Sequence, residues 1–148
     1  MAFAIEFVGD EFEEEGVRLH GLMLTVGDFF EEMFADVTNW SITDYRQHWL
    51  KELDALVHGR DCGALLISLH DPKIGYRVQA WPMWREDNIV YFQSRVIGML
   101  EVEPNFDTNR LSGVIGERQE LSEDGRPISQ WQISASEIKA FLTGRVTA

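Results

Sequence analysis

The sequence predicts an α+β domain: a twisted, mostly antiparallel β-sheet carrying one long central helix and a short C-terminal helix. Three observations predict it. Runs with strand-like alternation, rich in β-branched and aromatic residues, recur along most of the chain. One stretch, Trp40 to Val57, has helical spacing of its apolar residues instead. The closing stretch, Arg118 to Leu142, joins a turn signal, a strand and a capped helix without a break. The order reads β-β-β-α-β-β-β-β-β-α, and residues 1–148 are read as a single domain.

Ala2 to Val8 (AFAIEFV) is the first expected strand, and the acidic run Asp10 to Glu15 a solvated loop closed by Gly16. Val17 to Val26 is the second strand. Val17, Leu19 and Gly21 share one of its faces, and Leu22, Leu24 and Val26 share the other. Gly27-Asp28 is a turn, which makes Phe29 to Ala35 the returning strand of a hairpin. Phe29, Phe30, Met33, Phe34 and Val37 would also suit a helix, so periodicity alone leaves that segment open.

Ser41 is the expected N-cap of the main helix. Asp44, three residues on, places a negative charge at the positive end of the helix dipole. Trp40 and Tyr45 flank the cap as a hydrophobic staple. Tyr45, Trp49, Leu50, Leu53, Leu56 and Val57 form the apolar stripe, and Gly59 ends the helix. Arg46, Gln47, Lys51 and Asp54 take the opposite face.

Ala64 to Leu69 (ALLISL) is a continuous apolar run, expected as a central strand buried on both faces. Asp71-Pro72 turns the chain. Tyr76 to Trp84 alternates, with Pro82 confined to an edge, a bulge or the strand end. Glu86-Asp87-Asn88 is a turn and Ile89 to Ile97 a strand. Residues 98–110 are loop-rich, and Leu111 to Leu121 is a further strand. Glu123-Asp124-Gly125 turns into the last strand, Ile128 to Ile133. Ser134 and Glu137 then make a capping box, with Ile133 and Ile138 as its staple. Ile138, Phe141 and Leu142 give the final helix its apolar face, and Gly144 is its expected stop.

Composition narrows the function. Apolar residues make up 45%, as in ordinary globular proteins. No apolar run is long enough to span a membrane, and the start lacks the pattern of a signal peptide. One cysteine, Cys62, cannot form an internal disulfide, and a cytoplasmic protein is expected. The net charge is −12 and it is uneven. Residues 1–44 hold eleven acids and the single base Arg18, so that segment carries −10. Such a surface repels nucleic acid and anionic membrane and attracts basic partners. Plain solubility is the bland alternative.

No motif for catalysis or phosphate binding occurs. His20, His48, His58 and His70 show no metal-ligand spacing and are expected to be surface or half-buried. Cys62 has only Arg60 near it in sequence to lower its pKa. The Asp10–Glu15 acids lack the internal glycine of a calcium loop, so no metal or other cofactor is expected. Five tryptophans and nine phenylalanines are read as core. A stacking platform for single-stranded nucleic acid would need a basic groove beside them.

The residues resemble the immunity proteins of bacterial contact-dependent growth inhibition systems, across about residues 22–142. Gly27-Asp28-Phe29 with Glu31, Glu32 and Phe34 looks like the family's first block. Trp40, Tyr45 and Trp49 match its helix, followed by the ALLIS strand. Trp84, Asp87, Val90 and Gln93 look like its central strands. Arg118, Glu123-Asp124-Gly125, Ile128, Ser129, Trp131, Ile138 and Phe141 look like its closing block. An acid usually precedes the closing Trp; Gln130 stands there here. The resemblance implies a cytoplasmic inhibitor, not an enzyme, that blocks the C-terminal toxin domain of a cognate effector, commonly a nuclease. It also implies a fold like the Whirly single-stranded-DNA-binding domain. A Whirly-like nucleic-acid-binding module and a small carboxylate-dependent enzyme are the alternatives. Basic nuclease surfaces suit an acidic inhibitor. The candidate toxin-binding residues are therefore Asp10, Glu11, Glu13, Glu14, Glu15, Asp28, Glu31, Glu32 and Asp36.

Overall fold

The computed structural model of the protein describes residues 2–38, 40–69, 78–97 and 115–147. They form β1 (Phe3–Phe7), β2 (Phe12–Glu14), β3 (Val17–Val26), β4 (Phe29–Asp36), α1 (Ile42–Val57), β5 (Cys62–Leu69), β6 (Val78–Glu86), β7 (Ile89–Gln93), β8 (Arg95–Ile97), β9 (Gln130–Ser134) and α2 (Ala135–Thr147). The class is α+β, and among the described residues every strand pairing is antiparallel. The described strands divide into two sheets rather than forming one.

The long strand β3 is the middle of the first sheet, with β4 along one side. Its other side is shared: β1 pairs with Leu22–Val26 and β2 with Val17–Leu19. So part of the acidic run expected as a loop is a strand, with Glu13 opposite Arg18. The turn into β3 explains it. Glu15 and Gly16 lie at φ 52 and 82, the left-handed pair that a tight type I′ hairpin requires. Gly27, at φ 63, opens the next turn, and the segment after it is the strand β4 rather than a helix.

In the second sheet the order is β5-β6-β7-β9, with β8 also on β6. Strands β7 and β8 run along β6 in one register, skipping the pairs of Trp81 and Pro82. Pro82 has no N–H to donate, so the strand expected over Ile89–Ile97 is present but interrupted there. The turn at Asp71-Pro72, the beginning of the Tyr76 strand and the loop over 98–110 lie outside the described residues. So do residues 111–114 of the strand expected at Leu111–Leu121. Its remainder is not a strand: only Leu121 makes a bridge, to Pro127. Gly125 closes the turn between them, at φ 79, donating to the Ser122 carbonyl at 2.9 Å.

Both helices start as expected. The Asp44 N–H donates to Ser41 Oγ at 3.1 Å, and the Ser41 N–H to Asp44 Oδ2 at 2.9 Å. Asp44 thus completes a capping box besides placing charge at the dipole. The Glu137 N–H donates to Ser134 Oγ at 3.3 Å at the start of α2. That helix runs through Gly144 to Thr147. A glycine stops a helix when the chain turns left-handed there, and Gly144 keeps helical backbone.

One buried cluster joins both sheets and both helices, with Tyr45, Trp49, Trp81 and Phe92 among its largest members. Strand β5 is buried on both faces, as expected, but it ends its ladder instead of lying at the centre. Its free edge meets α1. Tyr45, His48, Trp49 and Glu52, spaced as one helical face, bond to the backbone of that edge. His48 is therefore buried, not a surface or half-buried histidine, with its Nε2 3.1 Å from the Ala64 carbonyl, and His20 is buried likewise, with its Nδ1 2.9 Å from the Gly21 carbonyl. The Asp36 N–H donates to Ser68 Oγ at 3.0 Å and ties β4 to β5.

Candidate functional site

The inner face of the first sheet (Phe3, Ile5, Leu22, Leu24, Val26, Met33 and Ala35) is buried. Alternation then turns the intervening residues outward. Across β1, β3 and β4, Ala4, Thr25 and Phe30 form one row, and Glu6, Met23 and Glu32 the next. Phe34 stands opposite Gly21, and Phe12 of β2 opposite Leu19. Gly21 puts no side chain between its neighbours. A Cβ there would come within 3.1 Å of the Val8 carbonyl oxygen and 3.6 Å of Glu32 Oε1. Phe12 and Phe34 meet edge to face, with ring centres 5.6 Å apart.

These phenylalanines are not core, as had been expected of all the aromatics. Phe12 is 42% exposed, Phe30 68% and Phe34 50%. Among the described residues they are three of the four large apolar side chains left in solvent; the other is Leu121. Composition could not single them out. The signal lay in the phase of β4. Phe30, Glu32 and Phe34 alternate against Phe29, Glu31, Met33 and Ala35, so the strand is apolar on both faces.

Eight of the nine candidate acids are exposed. Glu32 lies on the outer face among the phenylalanines, and Glu14 follows Phe12 on the same side of β2 by one alternation. Glu13 is the middle residue of β2 and Asp10, Glu11 and Glu15 flank the strand, while Glu31 and Asp28 lie toward the other end of β4. Asp36 departs from the set. It is 4% exposed, its carboxylate accepts from the Thr38 N–H at 2.9 Å, and its carbonyl accepts from the Tyr45 hydroxyl at 2.6 Å. It holds the chain between β4 and α1 and is removed from the candidate surface. Glu6, left out of that set, joins it by flanking Met23 opposite Glu32. Arg18 lies 3.7 Å from Glu11 and also donates to the Val37 and Thr38 carbonyls, which offsets little of the local charge.

The closing block makes a second polar cluster. Gln130 Oε1 accepts from Gln93 at 3.1 Å and from Arg118 at 3.2 Å. Arg118 also pairs with Glu86 at 2.6 Å and lies over the Tyr91 ring at 4.1 Å. Burial pushes the Cys62 thiol up, away from reactivity. Among the described residues, no three His, Cys, Asp or Glu side chains are grouped to share a metal ion. No helix among them is long and apolar enough to cross a membrane.

Comparison with known proteins shows the family. The family model described as the CdiI N-terminal domain matches residues 35–141. A relative from Enterobacter cloacae subsp. cloacae, the immunity protein CdiI, is 28% identical over 139 residues, covering 94% of this chain and 95% of its own. A solved toxin and immunity complex, CdiA-CT/CdiI from Enterobacter cloacae, contains a similar chain. The two are 27% identical and superpose with a TM-score of 0.87 over 99% of each. The family model covers most of this chain, so the protein belongs to the CdiI family, the immunity proteins of contact-dependent growth inhibition, and is not an enzyme.

Proposed function

We propose that this protein is a cytoplasmic immunity protein whose whole chain acts as one domain, binding the C-terminal toxin domain of a cognate effector and neutralising it. The observation that carries the reading is the likeness, at TM-score 0.87, to a chain solved in a toxin and immunity complex. The toxin is a nuclease with a basic substrate face. The −10 carried by residues 1–44 supports that step, because a surface built to hold phosphates is basic and an acidic inhibitor complements it. The exposed members of the candidate set, Asp10, Glu11, Glu13, Glu14, Glu15, Asp28, Glu31 and Glu32, supply the charge.

The test is protection. The C-terminal domain of the product of the reading frame upstream of this chain's own is expressed in a sensitive cell, with and without this protein. Rescue of growth and of intact nucleic acid is expected, and the two proteins should copurify. Continued killing at equal expression would refute the immunity reading. Tight binding of this protein to single-stranded DNA or RNA at physiological salt would favour the nucleic-acid-binding alternative.

A further inference from the structure

We propose that the outer face of the first sheet is the surface that grips the toxin domain, with Phe30 and Phe34 as its apolar centre. This deepens the immunity reading and rests on it. Folded proteins seldom leave several large aromatic side chains together in water unless a partner covers them. Here Phe12, Phe30 and Phe34 stand on one face, with Leu19, Met23 and Thr25 half-buried between them. The surface is pre-organised: it is built on paired strands, and the Phe12–Phe34 contact spans the middle strand. Rigid aromatic anchors lose little freedom on binding and are enriched among the residues that dominate interfaces.

Charge selects the occupant. Glu6, Glu14 and Glu32 share this face, and Glu13, Glu31 and Asp28 are exposed on the same strands or the turn between them. The matching partner has an apolar patch ringed by Lys or Arg, as a basic toxin domain would present. A second copy of this chain, related by a two-fold axis, would press these acids against their own kind. An anionic membrane would be repelled in the same way. The phenylalanines then hold the complex together while the acids around them exclude water and match the basic rim.

The test measures affinity for an inactive form of the toxin domain that the protection assay identifies, by calorimetry, with sedimentation of the free protein alongside. Wild type should bind, and Phe30→Ala and Phe34→Ala should each weaken binding about 30-fold or more. Leu121→Ala, exposed on another part of the chain, should bind like wild type. Equal denaturation midpoints for all variants confirm that folding is intact. Wild-type affinity in the Phe30→Ala/Phe34→Ala double variant overturns the assignment while leaving the immunity reading standing. So does a wild-type dimer that this double variant dissociates. Failure of wild type to bind overturns both.

Discussion

Trp49 Nε1 donates to the Leu66 carbonyl at 2.7 Å, and both residues are out of reach of water. The bond is one of a row. The Ala64 N–H donates to Glu52 at 3.2 Å, and the Leu69 N–H to the Tyr45 hydroxyl at 2.9 Å. A strand edge presents unpaired backbone groups, and burying them unsatisfied is costly. Helix α1 covers this edge with side chains that are apolar along their length and polar at the tip.

Trp49→Phe tests that row directly. Phenylalanine keeps most of the buried area and removes the donor, leaving the Leu66 carbonyl unpaired. It should cost about 1–3 kcal/mol. Trp49→Ala also opens a cavity and should cost at least about 3–5 kcal/mol. Urea denaturation midpoints separate the two. A Phe variant as stable as wild type would show that the hydrogen bond contributes nothing.

Glu52, like Asp36, is a buried acid with a structural role. It is 2% exposed, pairs with Arg60 and accepts from the Ala64 N–H. Glu52→Ala strips both partners and should cost about 3–5 kcal/mol. Glu52→Gln keeps an acceptor for Ala64 and should cost less. Thermal unfolding of the two variants checks the order.

How much of this was legible in the sequence depends on whether the cause is local. The caps at Ser41 and Ser134 and the turns at Gly27 and Gly125 follow from neighbouring residues, and all were readable. Glu52 and His48 were not. Their burial depends on where the β5 edge passes, which helical periodicity cannot know. The split into two sheets is likewise set by long-range pairing. At the proposed binding surface, charge was legible and the aromatic centre was not. A phenylalanine reads the same whether its strand face is covered or open. Only the finding that the helices and the second sheet lie on the inner side leaves Phe30 and Phe34 outside.

His48 should make stability depend on pH. Burial lowers its pKa below the ordinary 6.5, with Glu52 opposing that shift and Lys51 and Arg60 adding to it. The folded state therefore binds this proton less readily than the unfolded chain. The contribution is complete above the unfolded value and is lost as pH falls below it, by up to about 1.4 kcal/mol per pH unit. His48→Gln stays neutral throughout. Denaturant unfolding between pH 7 and 5 should show a steeper decline for wild type than for His48→Gln. Parallel declines would mean that His48 is not the group responsible.

The exposed acids should control how fast the toxin is captured more than how long it is held. Asp10, Glu11, Glu13, Glu14 and Glu15 cluster about the short edge strand β2, and Asp28, Glu31 and Glu32 lie on or beside β4. Like charges so close repel one another and favour no fold, so their effect is expected on association. At long range they would draw in a basic partner. On contact, most remain at a solvated rim, where a pair contributes little. Glu32 is the exception. It lies beside Gly21 and Phe34 on the aromatic surface and would be desolvated by a partner seated there. Replacing the β2 group with Asn and Gln should slow association about tenfold at low salt, and the difference should shrink at high salt as screening takes over. Glu32→Gln should mainly speed dissociation, by an amount equivalent to about 2–5 kcal/mol if its charge pairs with a buried base. Stopped-flow association and dissociation rates at two salt concentrations distinguish these effects. Should both variants match wild type in both rates and in salt dependence, the acidic surface serves solubility alone, and capture depends on some other part of the chain.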